Sequence, residues 1–363
     1  MKMNNYYYDI KEDLEKYPGC WAYFVWSGRN TGKTYSALRY MMETKSKFIF
    51  LKRTVEDVSF LLAGSGKVGS KLSQYGADVS PFVALNRDFG TNIRAFGIYK
   101  GYLGGFWECN EKNEPEFSPI GYIVSLNAIS KIKGFDLSDC DYIIFDEFIP
   151  SAWERIDKQE GKQLLDLYMT VSRDREHRGR GPLKLICLAN PTEVNCPVFQ
   201  ELEIADDAAT MTMRGDEYKI VRGMCLHEIK MGNAFKETEG NMIALKAMEG
   251  TAWHSMTMGE GFAYNDFQMI SPQALKGFHC LCEIIYRRAH WYIYQKNEMY
   301  YVCKSPGRYF ESVYDLNKDQ DARRFYLEMQ IELKHEYIDG HVKFQNYTMF
   351  DVIVNFKKFF PFV

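Results

Sequence analysis

The octapeptide Ser27-Gly28-Arg29-Asn30-Thr31-Gly32-Lys33-Thr34 constrains this chain more than any other feature. It stands between a run of aromatic and β-branched residues, WAYFVWS at positions 21–27, and a stretch from Thr34 to Thr44 in which Ala37, Leu38, Tyr40, Met41 and Met42 recur at roughly helical spacing. Pro18-Gly19 bounds the run on its other side, so the unit reads strand, loop, helix. In that setting Gly28 and Gly32 let backbone N–H groups turn inward onto phosphate oxygens, and the helix adds the positive end of its dipole. Lys33 is placed to pair with the β- and γ-phosphates, and Thr34 to offer its hydroxyl to magnesium. The segment is a P-loop with one departure. Ser27 stands where the first glycine of the pattern belongs, which a serine tolerates if its φ is negative. Ser27, Gly28, Arg29, Asn30, Thr31, Gly32, Lys33 and Thr34 together form the expected ATP-binding loop.

A second element answers the first. Tyr142 to Phe145 is a short apolar strand that ends in Asp146-Glu147. In a parallel sheet the carboxyl ends of strands line the ligand crevice, so two consecutive acids there take separate roles. Asp146 is expected to hold magnesium, directly or through water, and Glu147 to orient and activate the water that attacks the γ-phosphate. Another apolar strand, Leu183 to Ala189, ends at Asn190-Pro191. Asn190 either senses the γ-phosphate or initiates a plain turn. The basic stretch from Ser172 to Arg180 carries Arg173 and Arg175, for which three roles stay open: a finger on a neighbouring subunit's phosphate, a contact to DNA phosphates, or a solvated loop. Lys131 and Lys133, ahead of the acidic strand, pose the same choice.

The remaining pattern is read around these elements. Lys47 to Lys52 adds a strand, Val55 to Leu62 a helical stretch, Asn92 to Trp107 a hairpin, and Leu164 to Val171 a helical face. Apolar strands alternating with helices predict a mostly parallel sheet covered on both sides, an α/β fold. The pattern changes near Glu203. We expect a P-loop domain over 1–205, a linker or lid over 206–275, and a smaller α+β domain over 276–363. In that last part His279 to Ser305 gives three strand-like segments and Lys318 to Glu336 an amphipathic helix. The net charge of −3 excludes a chain that grips polyanions over its whole surface, so any such partner must be met by local patches. Nine cysteines without a CxxC pair point to reduced, buried thiols. The opening residues are acidic where a signal peptide is apolar, and no later run reaches the length of a membrane span. A soluble, intracellular protein without a membrane partner is expected.

The ordered set SGRNTGKT, KFIFLKRT, SKIKGFDLSDCDYIIFDEFIP, SRDREHRGRG and LICLANPTEVNCPVF resembles the DNA-packaging ATPases, or encapsidation proteins, of small protein-primed podophages, the Salasmaviridae and relatives. The likeness runs over about residues 20–205, with a looser match at NMIALKAMEGTAWHSMTMGEGFAYND. It implies a terminase-like P-loop NTPase of the additional-strand, catalytic-glutamate class, with Lys33 and Thr34 as Walker A ligands and Asp146 and Glu147 as Walker B acid and catalytic glutamate. It also implies Lys133 and either Arg173 or Arg175 acting across a subunit boundary. The cofactors that follow are ATP and Mg2+. The implied partners are double-stranded DNA, the portal of a procapsid, further copies in a homo-oligomeric ring (a pentamer), and a packaging RNA, all in the host cytoplasm. The C-terminal domain is expected to be a vestigial RNase H-like unit. Read from the residues, Glu283, Asp315, Asp319, Asp321 and Asp351 form no tight acidic motif for two metals. A helicase or nucleic-acid remodeller, a terminase that keeps its nuclease, and a nucleotide-gated structural subunit stand as alternatives to a DNA translocase.

Overall fold

Strand β1 (Ala22–Trp26) is buried at all of its positions, a pattern reserved for central strands covered on both faces. In the computed structural model, which describes residues 7–63, 79–99, 101–131, 134–151, 154, 157–173, 175–230, 242–251, 254, 262, 265 and 267–363, it belongs to a nine-stranded sheet. The other strands are β2 (Phe48–Lys52), β3 (Ile93–Tyr99), β4 (Leu103–Glu108), β5 (Gly121–Ser125), β6 (Tyr142–Asp146), β7 (Lys184–Ala189), β8 (Tyr218–Val221) and β9 (Met224–Glu228). Their order is β3-β4-β5-β2-β6-β7-β1-β9-β8. From β5 to β9 every pairing is parallel, and β3, β4 and β8 close the two edges in antiparallel fashion. The predicted hairpin at Asn92 to Trp107 is β3–β4.

Alternation along the strands sorts the core into two layers. Tyr23, Val25, Phe48, Phe50, Ile144, Ile186 and Leu188 face one side. There they pack with residues of helices α1 (Ile10–Lys16), α2 (Lys33–Thr44), α3 (Val55–Ala63) and α4 (Val83–Phe89). On the other side Phe24 meets Phe148 and Phe199 edge-on, each at 5.6 Å between ring centroids, beneath helix α5 (Glu160–Ser172) and the short helix Pro197–Glu201. Hydrophobic burial of both faces is the main favourable term available to such a sheet.

The chain divides into two compact units, Met1–Ile204 with Arg214–Tyr264, and Ala205–Met213 with Asn265–Val363. Residues 206–275, expected as a connecting segment, therefore contribute to both, and β8 and β9 extend the large sheet on the far side of β1. The second unit holds a five-stranded sheet of β10 (His279–Tyr286), β11 (Ala289–Lys296), β12 (Met299–Cys303), β13 (Ser312–Asp315) and β14 (Val342–Phe344), in the order β13-β10-β11-β12-β14. The three segments predicted between His279 and Ser305 form its antiparallel centre. The amphipathic stretch after Lys318 becomes two helices, Asp319–Phe325 and Ile331–Ile338, joined by a π turn at Tyr326–Gln330. The nine cysteines are free thiols, eight of them buried. No helix among the described residues is long and apolar enough to cross a membrane.

Close approach of α5 to the helix Pro197–Glu201 depends on Gly161, where an added Cβ would lie 2.5 Å from the Pro197 carbonyl oxygen and 2.6 Å from Glu201 Cβ. Gly161→Ala is expected to lower the unfolding free energy by about 1–3 kcal/mol through overpacking. Urea denaturation of the two proteins measures it, and an unshifted midpoint would show that the helices can part freely.

Candidate functional site

Parallel pairing places Trp26 opposite Ala189 and Asp146 opposite Leu188, so the carboxyl ends of β1, β7 and β6 finish at one edge. One strand, β7, separates the strand that leads into the P-loop from the strand that ends in Asp146. This is the additional-strand arrangement expected from the sequence. The decisive contact crosses it: Thr34 Oγ1 donates to Asp146 Oδ1 at 2.7 Å, over 112 residues of sequence. A hydroxyl oxygen and a carboxylate oxygen so close together are the hard donor pair that a magnesium ion selects.

The loop is braced from within. Ser27, which replaces a glycine of the usual pattern, is absent from the positive-φ residues and sits 2.7 Å from Thr31 Oγ1 through its own hydroxyl. Both are about 1% exposed. Asn30 and Gly32 adopt left-handed φ values of 61° and 82°, which turns the loop into the first turn of α2. Lys33 Nζ donates to Ser27 Oγ and the Gly28 carbonyl, both at 2.9 Å, and more weakly to Asn190 Oδ1 at 3.3 Å. Asn190 therefore projects from the tip of β7 onto the loop lysine, the place a phosphate sensor requires. Arg29 and Asn30 are exposed on the rim of a cleft of about 280 Å³ that Lys33, Thr34, Glu147 and Asn190 also line.

The N-terminal segment holds this loop from outside. Tyr8 N–H donates to the Thr31 carbonyl at 3.0 Å, Ile10 N–H to Ser36 Oγ at 2.8 Å, and Arg39 pairs with Asp9 at 2.6 Å. Asp13, fully buried, accepts from the Tyr8 hydroxyl at 2.6 Å and lies 2.7 Å from His227 Nδ1 on β9. The loop is thereby tied, through α1, to the strand on the other side of β1.

Glu147 follows the end of β6 with a φ of 59°, a conformation that costs about 1–3 kcal/mol for a residue with a Cβ and that concentrates at functional sites. Two cations at the tip of β2, which the sequence reading passed over as a strand end, surround the acids. Lys52 Nζ lies 2.8 Å from Asp146 Oδ2 and 3.4 Å from Glu147 Oε2. Arg53 reaches the main chain at Glu147 and Phe148 and two glutamates beyond it. The signal was present in KFIFLKRT: two cations directly after an apolar strand, on a sheet whose carboxyl edge holds the acids.

The two candidate arginines separate. Arg175 is about 2% exposed and donates to Asp141 Oδ1 at 2.6 Å, to the Ser138 and Gly181 carbonyls at 3.2 Å, and to the Cys140 carbonyl. Asp141 precedes β6, at the strand end opposite Asp146. Arg175 is therefore a brace for the start of β6, and the expectation that it faces a neighbouring subunit is corrected by its burial. Arg173 is exposed and has no hydrogen bond or ion pair among the described residues. Helix α5 separates it from Glu160 by ~20 Å, at 1.5 Å per residue. It lines two surface clefts of about 690 and 320 Å³. Lys133 lies outside the described residues. In the second unit four of the five acids considered for a nuclease are otherwise engaged: Glu283 with His290 and Tyr292, Asp315 with Lys318, Asp321 with Arg324, and Asp351 with Lys358; the fifth, Asp319, lies in the first turn of its helix. No group of three potential metal ligands occurs among the described residues.

A family model described as Podovirus DNA encapsidation protein (Gp16) matches residues 118–358. The chain belongs to this family. The match spans β6, the Arg173 loop and the second unit, and begins after the P-loop, whose assignment rests on the contacts above. In structure the chain is similar to the bacteriophage Phi-29 viral genome packaging motor assembly, with a TM-score of 0.62 and 16% identity over 98% of this chain and 99% of that one. It is also similar to the Phi-28 gp11 DNA packaging motor, with a TM-score of 0.57 and 16% identity over 98% and 97%. At such identities the likeness establishes a shared fold along the whole chain. No curated protein matches the sequence.

Two outcomes follow from the geometry. Arg175→Ala removes charge-assisted hydrogen bonds from a buried guanidinium, so the unfolding free energy is expected to drop by about 1.5–3 kcal/mol, while nucleotide affinity of the folded protein stays unchanged. Chemical denaturation and nucleotide titration together check this. Burial pushes the Lys33 ammonium down to about 7, against the opposing pull of Asp146. Phosphate favours the charged form, so nucleotide binding above pH 7 should take up a proton, and affinity should weaken by up to about tenfold per pH unit as pH rises. Calorimetry in buffers of different ionisation enthalpy reads that proton; no uptake at pH 8 would contradict the assignment.

Proposed function

We propose that this chain hydrolyses ATP and couples hydrolysis to the movement of double-stranded DNA into a procapsid, acting as one subunit of a homo-oligomeric ring on the portal. The observation that carries the reading is the convergence of Lys33, Thr34, Asp146 and Glu147 on one sheet edge, with Thr34 and Asp146 in direct contact. Membership of an encapsidation family supplies the DNA and capsid context.

In this reading the N–H groups of Gly28 to Thr34 receive the triphosphate, and Lys33 exchanges its contacts to Ser27 and Gly28 for phosphate oxygens. Thr34 and Asp146 turn their oxygens to a magnesium ion, which would offset charge on the transferring phosphoryl group. Glu147, with a side chain about 66% exposed, takes the proton of the attacking water. Asn190 reads the γ-phosphate between the two acids and the loop. Arg173, exposed at the end of α5, acts on a neighbouring subunit's phosphate, with Lys133 as its companion. A packaging RNA fits this assembly as a further partner, and the second unit is a vestigial RNase H-like domain in the same reading. The site of action is the host cytoplasm. Because the overall charge is −3, DNA is met only by local basic groups, which suits a motor that must release phosphates as readily as it grips them.

ATP turnover by purified protein should vanish in Lys33→Ala, and in Glu147→Gln should fall by about 10²–10⁴ while nucleotide binding persists. Normal turnover in either variant would overturn the site. Arg173→Ala subunits and Glu147→Gln subunits should each be inactive alone and regain turnover when mixed, since one interface in such a ring carries both intact groups. The finger removed in Arg173→Ala is worth about 10³–10⁵ in rate; mixtures that stay inactive at every ratio would place Arg173 outside the neighbouring site.

A further inference from the structure

Arg53 ends the β2 tip, beside Lys52, with a side chain about 11% exposed. Its planar fork is fully engaged. Nη2 donates to the Glu147 carbonyl at 2.7 Å and to the Phe148 carbonyl at 3.2 Å. Nε donates to Glu160 Oε2 at 2.8 Å, and Nη1 to Glu154 Oε2 at 3.0 Å. Glu160 is about 2% exposed and begins α5, whereas Glu154 is about 39% exposed, so Glu160 is the partner that fixes the guanidinium. Phe148 N–H is held in turn by the Leu188 carbonyl of β7 at 3.1 Å. Among the described residues, Arg53 makes no hydrogen bond or ion pair to loop residues Ser27 to Thr34.

We infer that Arg53, locked by Glu160, is a positioning residue that holds the left-handed turn at Glu147 and so aims the Glu147 carboxylate for catalysis. The inference rests on the reading of Glu147 as the catalytic glutamate. Glu147 keeps a φ of 59° only while its surroundings over-determine it, and the two carbonyls that flank the turn are gathered by one cation. A lysine cannot replace it, because a point charge does not span two carbonyls and a carboxylate in one plane. Relaxation of the turn would displace the carboxylate without touching the phosphate-binding loop. The effect therefore falls on turnover and not on nucleotide affinity.

The test uses the full chain with Arg53→Lys, Glu160→Gln, Glu160→Ala and the double variant Arg53→Lys/Glu160→Gln. Steady-state ATP hydrolysis, binding of a fluorescent non-hydrolysable ATP analogue, and denaturation curves are measured for each. Arg53→Lys should lose about 10- to 100-fold in kcat, the scale of an ångström-level misplacement, with analogue affinity within about threefold of the parent. Glu160→Gln, which keeps an acceptor for Arg53 Nε, should retain kcat within about threefold, while Glu160→Ala should fall toward the Arg53→Lys level. The double variant should be no worse than Arg53→Lys alone, since both residues act through one contact. Folded Arg53→Lys or double variant with kcat within about twofold of the parent would overturn the inference, as would a loss of turnover matched by an equal loss of analogue binding. A parent chain without turnover, or full turnover in Glu147→Gln, would instead remove the catalytic reading on which the inference stands.

Discussion

The hydrogen bond from Thr34 to Asp146 is the constraint to which the rest of the structure answers. Thr34 belongs to the first turn of α2 and Asp146 to the last residue of β6, and neither touches the other through local chain geometry. Their meeting requires β1 and β6 to run in the same direction with their carboxyl ends level. It also requires a single intervening strand, because two would place the tips about 14 Å apart at 4.7–4.9 Å per strand. Parallel strands need long crossovers, and the chain supplies them: β1 to β2 through α2, and β6 to β7 through α5. The burial of β1 throughout, and of β2 at every position but Lys52, follows from that covering.

The elements with strong local signals were legible in the sequence. Glycines at 28 and 32 between an apolar strand and a helical period, and paired acids after YIIF, each specify a local geometry and a chemistry at once. What stayed hidden was decided by partners far away in the chain. Lys52 and Arg53 look like any strand end until β6 is set beside β2. Arg173 and Arg175 are indistinguishable in an arginine-rich loop, and Asp141 at the foot of β6, with the carbonyls of Ser138, Cys140 and Gly181, draws one inward while the other stays in solvent. Strands β8 and β9 were missed for a different reason. YKIV and MCLHE are four and five residues long, lie in a Met- and acid-rich stretch, and are strands only through their pairing onto β1 and onto each other. His227 and Asp13, 214 residues apart, meet only through that long-range pairing.

The electrostatics of the site divide into two halves with different tasks. Around the loop, Lys33 is surrounded by neutral oxygens of Ser27, Gly28 and Thr31, which satisfy its donors without supplying a full counter-charge. Such a lysine is stabilised further by an incoming anion, so the cradle is built for phosphate. Around the acids the arrangement is reversed. Lys52 sits between Asp146 and Glu147, and burial of all but Glu147 strengthens these attractions relative to a surface pair. The two halves meet at Thr34 and Asp146, where an oxygen from each side is available to one cation.

Strain follows the same edge. Asn30, Gly32 and Glu147 are left-handed, and they lie on segments that continue directly from the tips of buried parallel strands. The anchoring differs in kind. The loop is held by side-chain hydroxyls of Ser27 and Thr31 and by the α1 segment, whereas the Glu147 turn is held through its main chain by the Leu188 carbonyl and the Arg53 guanidinium. A glutamate whose side chain is largely in solvent has many rotamers open to it. The main-chain contacts fix where that side chain departs from the turn, and the 3.4 Å contact from Lys52 adds the restraint present at the carboxylate itself.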